Sequence, residues 1–335
     1  MATSDTQTAS IPSPDGERAA SGAQQAAARI QTVGVVGGGL IGLSWAALFL
    51  ARGLDVIVYD PSEAAEKDVQ PFIEAAWTGL AELGLTLQAA PRLPRFTTRM
   101  QDLAGADFVQ ENGPDRIEVK RKIIAAIEAA VRADVPIASS TSSLIASDIQ
   151  AEAAHPQRIL VAHPMNPPHM VPLVELVAGK LTDARFVDLA EAFYQRMQRV
   201  TIRVRKEVVG HLANRLTSAL YREAVHIAAE GIASVEDIDK AMSYGPGLRW
   251  ALIGPHMTYH LGGGKGGYRH YLDHLGPTQE NRWKELGSPA LTEAVKAQLV
   301  QGVQEEMKSQ DTATLVDRRD AALAAVLKIK KQYGF

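Results

Sequence analysis

The sequence predicts an α/β protein with a doubly wound sheet in its N-terminal part and an all-α C-terminal domain. Before about residue 205, short and almost wholly apolar runs such as TVGVVG and LDVIVYD alternate with segments of helical periodicity. This alternation is typical of parallel sheets whose two faces are covered by helices. After that point the strand-like runs stop, and the remaining segments carry apolar residues at helical spacing.

The strand-like runs set the predicted domain boundaries. In order they are TVGVVG, LDVIVYD, a short run near Arg95–Thr97, ADFVQEN, VPIASST, RILVAHP, LVELV and VTIRV. Helical segments separate them, the clearest being Pro61–Leu83 and Arg116–Arg132. We therefore expect a nucleotide-binding sheet domain over residues 31–205 and a helical domain for substrate binding and dimerisation over 206–335.

Composition excludes several classes of function. The chain has 335 residues, a formal net charge of −3 and no cysteine, so disulfides, thiolate metal sites and cysteine nucleophiles are absent. Scattered basic residues argue against nucleic acid, and no apolar run reaches the roughly 18 residues of a membrane span. Residues 1–30 lack an apolar signal segment and are expected to form a flexible tail, with a short helix near 24–29. A cytoplasmic protein is expected.

A glycine motif lies between the first strand and the first helix. Residues 37–42 read GGGLIG, which fits G-x-G-x-x-G. In this motif Gly37 makes the tight turn, Gly39 lets the backbone approach a pyrophosphate, and Gly42 allows the helix to pack closely on the sheet. With Leu40 and Ile41, these residues open a helix whose unpaired N–H groups suit phosphates. The pattern predicts a Rossmann dinucleotide site; the alternative is a purely structural turn.

Asp60 supports the dinucleotide interpretation and selects the cofactor. It closes the second strand, where a carboxylate accepts hydrogen bonds from both hydroxyls of an adenosine ribose. The same carboxylate would repel a 2′-phosphate, and no Arg or Lys follows before Lys67. The sequence therefore predicts NAD rather than NADP.

His163 is the candidate general base. It ends the run RILVAHP, and ligands of such folds gather beyond the carboxyl ends of the strands. Oxidation of a carbinol by a nicotinamide cofactor requires a base for the alcohol proton, and imidazole is the usual one. A carboxylate on the other ring nitrogen fixes its tautomer, and Glu175 in LVELV is the candidate. The alternative is a buried structural histidine.

Two polar residues complete the candidate catalytic set. Ser142, just beyond the VPIASS strand, is placed to hydrogen-bond the reacting oxygen, although a turn or helix-capping serine is the alternative. Asn214 lies in an otherwise apolar helical stretch, where asparagine is unfavourable by propensity. A helix–helix hydrogen bond is its alternative role.

The chain from about residue 32 to 290 resembles the 3-hydroxyacyl-CoA dehydrogenase superfamily. The matching segments are VGVVGGGLIG, SSTSSL, HPMNPP, LVELV and KEVVGHLANRL. In that family a Ser, a His, a Glu and an Asn act together on a 3-hydroxyl, which implies this role for Ser142, His163, Glu175 and Asn214. The resemblance also implies that Glu111 lies near the nicotinamide side of the cofactor. Asn166 is expected to shape the loop after the base and to contact the nicotinamide.

The helical domain resembles the small-substrate branch of that superfamily. The element GLRWALIGP is similar to L-carnitine 3-dehydrogenases and to L-gulonate 3-dehydrogenases, the latter being λ-crystallin relatives. A carboxylate substrate needs a forked cationic partner, for which Arg249 is the candidate. A trimethylammonium group needs aromatic faces, for which Trp250 and Tyr259 are candidates, with ordinary core packing as the alternative.

These features predict NAD-dependent oxidation of the 3-hydroxyl of a short, free hydroxy acid, with a carnitine-like substrate favoured over a gulonate-like one. The alternatives are a (S)-3-hydroxyacyl-CoA dehydrogenase and a non-catalytic, crystallin-like NAD-binding protein. Apolar helices over 207–230 and 290–305 predict a homodimer. No metal is expected, although four histidines occur in pairs at helical spacing, namely His256, His260, His270 and His274.

Overall fold

The structure is a computed structural model that describes residues 14–335, with side chains described from residue 21. The part of the predicted tail that covers residues 1–13 lies outside the described residues. The chain folds as two compact units, of which the first ends at Leu212 and the second is Ala213–Phe335. The division falls later than the predicted boundary because residues 207–212 bond to the first unit. The Glu207 carboxylate, for example, accepts hydrogen bonds from the backbone and hydroxyl of Ser147.

The first unit contains an eight-stranded sheet with helices on both faces. Its order is β3-β2-β1-β4-β5-β6-β7-β8, and the strands are β1 Thr32–Val36, β2 Asp55–Tyr59, β3 Arg95–Thr97, β4 Phe108–Glu111, β5 Ile137–Ser139, β6 Ile159–Pro164, β7 Leu173–Ala178 and β8 Val200–Val204. The helices are α1 Pro14–Ala28, α2 Leu40–Ala51, α3 Glu66–Glu82, α4 Ile117–Ala130, α5 Ala146–Gln150 and α6 Ala184–Arg196.

Two apolar clusters form the core of this unit, one on each face of the sheet. The first joins the strands to α2, α3 and α6, and the second joins them to α4 and α5. Burial on both faces explains why an inner strand such as β6 is a largely apolar run. The predicted doubly wound α/β class is confirmed.

One strand pair departs from the predicted parallel sheet. Strand β7 runs antiparallel to β6, whereas β8 is again parallel to β7. Only residues 165–172 connect β6 to β7, and a parallel crossover needs a dozen residues or more. The prediction of a wholly parallel sheet was therefore wrong at this pair. The antiparallel register sets His163 directly opposite Glu175.

Residues 14–28 differ from the predicted flexible tail, because they form α1. This helix packs against α6, and Ala27 and Ile30 are buried in the first apolar cluster. The Arg196 guanidinium donates to the carbonyl oxygens of Ala27 and Ile30 at 2.8 and 2.7 Å. A cation at the carbonyl end of a helix is electrostatically favourable, so burial and this contact together order the segment.

The second unit is entirely helical, as predicted. Its helices are α7 Ala213–Ala229, α8 Val235–Ser243, α9 Pro246–Trp250, α10 Pro255–Gly262, α11 Gly267–Glu285, α12 Glu293–Met307 and α13 Thr312–Tyr333. Within residues 14–335, no helix combines the length and apolar character needed to cross a bilayer.

Candidate active site

The loop between β1 and α2 has the backbone shape that a dinucleotide requires. Gly37 has φ +100°, in the left-handed region that favours glycine, and its N–H donates to the Tyr59 carbonyl at 2.8 Å. A Cβ on Gly42 would overlap the carbonyl oxygen of Gly37, whereas nothing lies within 4 Å of a Cβ on Gly39. The open side at Gly39 leaves room for phosphate against the start of α2.

Asp60 is oriented by this same loop. Its Oδ2 accepts the Gly38 N–H at 2.8 Å, and its Oδ1 accepts the Ser62 N–H at 2.9 Å. A cavity of about 680 Å³ lies alongside and is largely apolar, which suits an adenosine; its lining residues are Val36, Gly37, Gly39, Tyr59, Asp60, Pro61, Met100, Asn112, Gly113, Pro114, Val119, Lys122, Ile123 and Ala126. Of the two motif residues between the glycines, Leu40 is exposed and Ile41 packs partly on the core.

The position of Asp60 leads to a prediction about cofactor choice. Asp60→Asn removes the charge that repels a 2′-phosphate but keeps an amide oxygen for the loop. We expect the ratio of kcat/KM with NAD to kcat/KM with NADP to fall about tenfold. This corresponds to a loss of roughly 1.4 kcal/mol in the free energy that discriminates between the two cofactors. Asp55→Asn, at the amino end of the same strand, is the matched control and should leave the ratio unchanged. An unchanged ratio in the Asp60 variant would contradict the ribose role.

Glu111 is engaged inside the protein. Its carboxylate accepts two bonds from the Lys120 ammonium at 3.0 and 2.9 Å, one from the Gly113 N–H and one from the Ser139 hydroxyl, both at 2.6 Å. Both charged side chains are essentially fully buried. In the structure the carboxylate holds the loop after β4, which lines the cavity. The place near the nicotinamide that the resemblance implies stays a prediction.

His163 and Glu175 form a buried pair at the carboxyl end of β6. The Nδ1 atom of His163 lies 2.7 Å from Oε2 of Glu175, and both side chains are buried. An ionised carboxylate can only accept, so Nδ1 carries a proton, and in the neutral form of the ring Nε2 is the acceptor. The other carboxylate oxygen, Oε1, accepts the Leu212 N–H at 2.9 Å. The pair has the geometry of a base and its orienting acid.

Ser142 lies in the loop after β5, beside the strand that carries His163. Its N–H and its hydroxyl both donate to Asp115 at 3.0 Å. Burial acts to raise the pKa of Asp115, but hydrogen bonds from Ser142 and Thr141 and the nearby Lys120 ammonium outweigh it, and the pKa is lowered. Asp115 is therefore an anion that ties the serine loop to the loop after β4.

The loop after His163 is anchored on both sides. The His169 N–H donates to the Ser44 hydroxyl of α2 at 3.0 Å, and that hydroxyl lies 2.7 Å from Nδ1 of His169. Buried Arg199 donates to the Pro168 carbonyl at 3.0 Å. Asn166 is exposed within this loop and precedes a cis peptide bond to Pro167. The loop is thus held in one conformation beside the base.

His211 was not among the residues that the sequence singled out. Its ring centroid lies 5.2 Å from that of His163, and its Nε2 lies 3.1 Å from the Thr141 carbonyl oxygen. The only signal in the sequence was its place in KEVVGHLANRL, three residues before Asn214. Lys120 was missed as well, because a buried lysine cannot be distinguished from a surface one by helical spacing.

The remaining predicted residues belong to the second unit. Asn214 is the second residue of α7, Arg249 and Trp250 end α9, and Tyr259 lies on α10. Tyr259 stacks on Tyr271 of α11, with ring centroids 4.5 Å apart. Arg249 is exposed, whereas Trp250 and Tyr259 are half-buried. Their roles toward a substrate stay predictions.

Comparison with known proteins identifies the family. Residues 32–208 match the 3-hydroxyacyl-CoA dehydrogenase NAD binding domain, and residues 210–305 match the C-terminal domain of the same enzymes. The chain belongs to the 3-hydroxyacyl-CoA dehydrogenase family. The predicted fold, the cofactor NAD and the dehydrogenase class are thereby confirmed.

Individual relatives cover most of the chain. The chain is 43% identical over 300 residues to the L-carnitine dehydrogenase of Nocardiopsis dassonvillei, covering 89% of this chain and 91% of the relative. It is also 43% identical over 306 residues to the L-carnitine dehydrogenase of Streptomyces coelicolor, covering 91% of this chain and 96% of the relative. Among solved structures, 5-formyl-3-hydroxy-2-methylpyridine 4-carboxylic acid 5-dehydrogenase, an NAD+ dependent dismutase, matches with a TM-score of 0.79 and 29% identity, covering 90% and 99%.

Proposed function

We propose that this protein uses NAD to oxidise the 3-hydroxyl of a short, free hydroxy acid to the 3-oxo acid, with L-carnitine as the first candidate substrate. The observation that carries the chemistry is the buried His163–Glu175 pair, joined at 2.7 Å near the carboxyl end of β6. The relatives named L-carnitine dehydrogenase support the substrate.

The residues of this chain account for the proton in such a reaction. Glu175 holds Nδ1–H, so His163 presents its Nε2 lone pair to the alcohol and becomes a cation as it takes the proton. The anionic Glu175 stabilises that cation. Ser142 and Asn214 are assigned to hold the reacting oxygen by hydrogen bonds. NAD, when bound, accepts the hydride that leaves the carbinol carbon.

The NAD assignment fits the residues of the first unit. The open space at Gly39 receives phosphate and the Asp60 carboxylate receives the ribose hydroxyls. The apolar cavity that Gly39 and Asp60 both line would receive the adenine. Asn166 is assigned to the nicotinamide end of the site.

A free hydroxy acid with a quaternary ammonium group also suits the second unit. Arg249 is the candidate to bind its carboxylate. Its quaternary ammonium group has no N–H to donate, so aromatic ring faces are the partners that suit it. Trp250 and the stacked Tyr259 provide such faces. The rival is a 3-hydroxyacyl-CoA substrate, which membership of the 3-hydroxyacyl-CoA dehydrogenase family favours.

A substrate panel separates these possibilities. L-carnitine, L-gulonate, 3-hydroxybutyrate and its CoA ester are each incubated with NAD, and NADH is followed by absorbance. We expect the highest kcat/KM with carnitine, and a lower value with 3-hydroxybutyrate because it lacks the ammonium group. If only the CoA ester is oxidised, the protein is a 3-hydroxyacyl-CoA dehydrogenase and the proposal of a free hydroxy acid is wrong. No turnover, with a melting temperature still raised by NAD, would indicate a non-catalytic NAD-binding protein.

We also propose that the protein is a homodimer formed through the second unit. In Ala213–Phe335, all of which the structure describes, the fully buried apolar residues are only Val225, Ala228 and Ala324. Along α7, Leu216 and Leu220 expose 68% and 43% of their surface one helical turn apart. Exposed apolar surface on this scale is typical of an obligate interface, and a second copy is the partner that a homo-oligomer supplies.

The dimer leads to a measurable prediction. Light scattering at micromolar concentration should give twice the mass of one chain. Leu216→Arg places a charge on the exposed stripe, so we expect it to shift the protein toward monomer. Leu181→Arg is the matched control, since Leu181 is 56% exposed in the first unit and should leave the mass unchanged. A wild-type monomer would refute the dimer.

A further inference from the structure

The segment between β8 and α7 holds His211 in a strained and buried position. Its φ is +50°, and the preceding Gly210 has φ +79°. A non-glycine residue in this region is uncommon and its backbone is strained. His211 is only 1% exposed. Such a conformation persists only where surrounding contacts hold it, and strained residues of this kind cluster at functional sites.

His211 and its neighbour contact two of the elements that carry the proposed active site. The Thr141 carbonyl can only accept, so Nε2 of His211 carries a proton and donates to it at 3.1 Å. Thr141 directly precedes Ser142. On the other side the His211 ring lies against the His163 ring, while the Leu212 N–H donates to Glu175.

The remaining ring nitrogen indicates that His211 is neutral. Among the described residues, Nδ1 is buried and has no hydrogen-bond partner. Burial is the largest cause that lowers the pKa of His211, and the nearby His163 acts in the same direction. The Thr141 carbonyl, Glu175 and Asp115 act in the opposite direction but do not prevail. A proton on Nδ1 would create a buried cation beside the ring that must itself become cationic during turnover.

We propose that His211 is a positioning residue that joins the loop of Ser142 to the His163–Glu175 pair, so that proton transfer at His163 depends on it. This inference rests on the proposed function. The distance between a base and the groups that hold the substrate oxygen must be kept within a fraction of an ångström for efficient transfer. The bond to Thr141 fixes the serine loop, and the Leu212 bond fixes the carboxylate. His211 acts through these groups and not on the substrate.

Two substitutions separate positioning from bulk. His211→Phe keeps a ring of similar size but has no donor for Thr141. His211→Asn keeps a donor, and asparagine tolerates the left-handed conformation. We expect His211→Phe to lower kcat about tenfold or more, with KM within about threefold of wild type. We expect His211→Asn to recover kcat to within about threefold of wild type. His155→Phe, before the amino end of β6, is the control and should leave kcat unchanged.

The isotope effect tests the step at which the loss occurs. With substrate deuterated at the carbinol carbon, the isotope effect on kcat should rise in His211→Phe, because the chemical step becomes slower than product release. A wild-type kcat in folded His211→Phe would overturn the inference, as would an asparagine variant that loses as much as the phenylalanine one. If His211→Phe does not fold, an isotope effect in His211→Asn equal to that of wild type supports the inference and a raised one overturns it. Failure of wild type to oxidise any hydroxy acid would instead refute the proposed function.

Discussion

Replacing His163 by asparagine is expected to lower kcat by about 10²- to 10⁴-fold, the range that a positioned general base contributes. Asparagine has similar polarity, but its amide does not accept a proton near neutral pH. The alcohol proton would then have to leave to water. Because Nε2 of His163 acts only on the substrate, the cofactor loop at Gly37–Gly42 is unaffected, and NAD should still raise the melting temperature of the variant.

The measurement is the steady-state rate of NADH formation with the best substrate of the panel, together with thermal unfolding with and without NAD. His155→Asn is the matched control, because His155 precedes the amino end of the same strand. Adding Glu175→Gln to His163→Asn should cost little more, since the carboxylate acts through the imidazole and such units are not additive. A His163→Asn variant that retains a tenth of the wild-type rate would remove His163 from its role as base.

The elements that follow from local pattern were predictable from the sequence. Each predicted strand occurs in the sheet. The inner strands are largely apolar because both of their faces are buried. The glycine motif was equally readable, since positive φ at Gly37 and the lack of room at Gly42 each demand glycine. The pairing of His163 with Glu175 was expected from chemistry, and the antiparallel register of β6 and β7 brings it about.

The features that could not be predicted from the sequence depend on contacts between residues far apart in the chain. The direction of β7 follows from the length of a loop, which apolar periodicity does not encode. The packing of α1 as an ordered helix depends on Arg196, which is more than 160 residues away along the chain. The role of His211 depends on a left-handed backbone and on a carbonyl at Thr141. None of these partners can be identified from the residues next to them.

Lys120→Met is expected to cost about 3–5 kcal/mol of the free energy of unfolding, because it leaves the buried Glu111 carboxylate without its cation. Lys120 is 1% exposed and Glu111 is 0% exposed, so water cannot replace the lost partner. The ammonium also donates to the Gly113 carbonyl at 2.7 Å and lies 3.6 Å from Asp115. One substitution thus loosens the loop after β4 at three points.

Urea or thermal unfolding of four proteins tests this expectation. Lys120→Met should be strongly destabilised, whereas Lys122→Met, an exposed site on the same helix, should lie within about 0.5 kcal/mol of wild type. The double variant Glu111→Gln/Lys120→Met should be more stable than Lys120→Met alone, because it buries no unpaired charge and the glutamine oxygen still accepts from Ser139. The expectation is contradicted if Lys120→Met unfolds with a free energy within about 1 kcal/mol of wild type. It is also contradicted if the double variant is no more stable than Lys120→Met. Since this loop lines the cofactor cavity and its Asp115 bonds Ser142, the affinity for NAD should fall in Lys120→Met and partly return in the double variant.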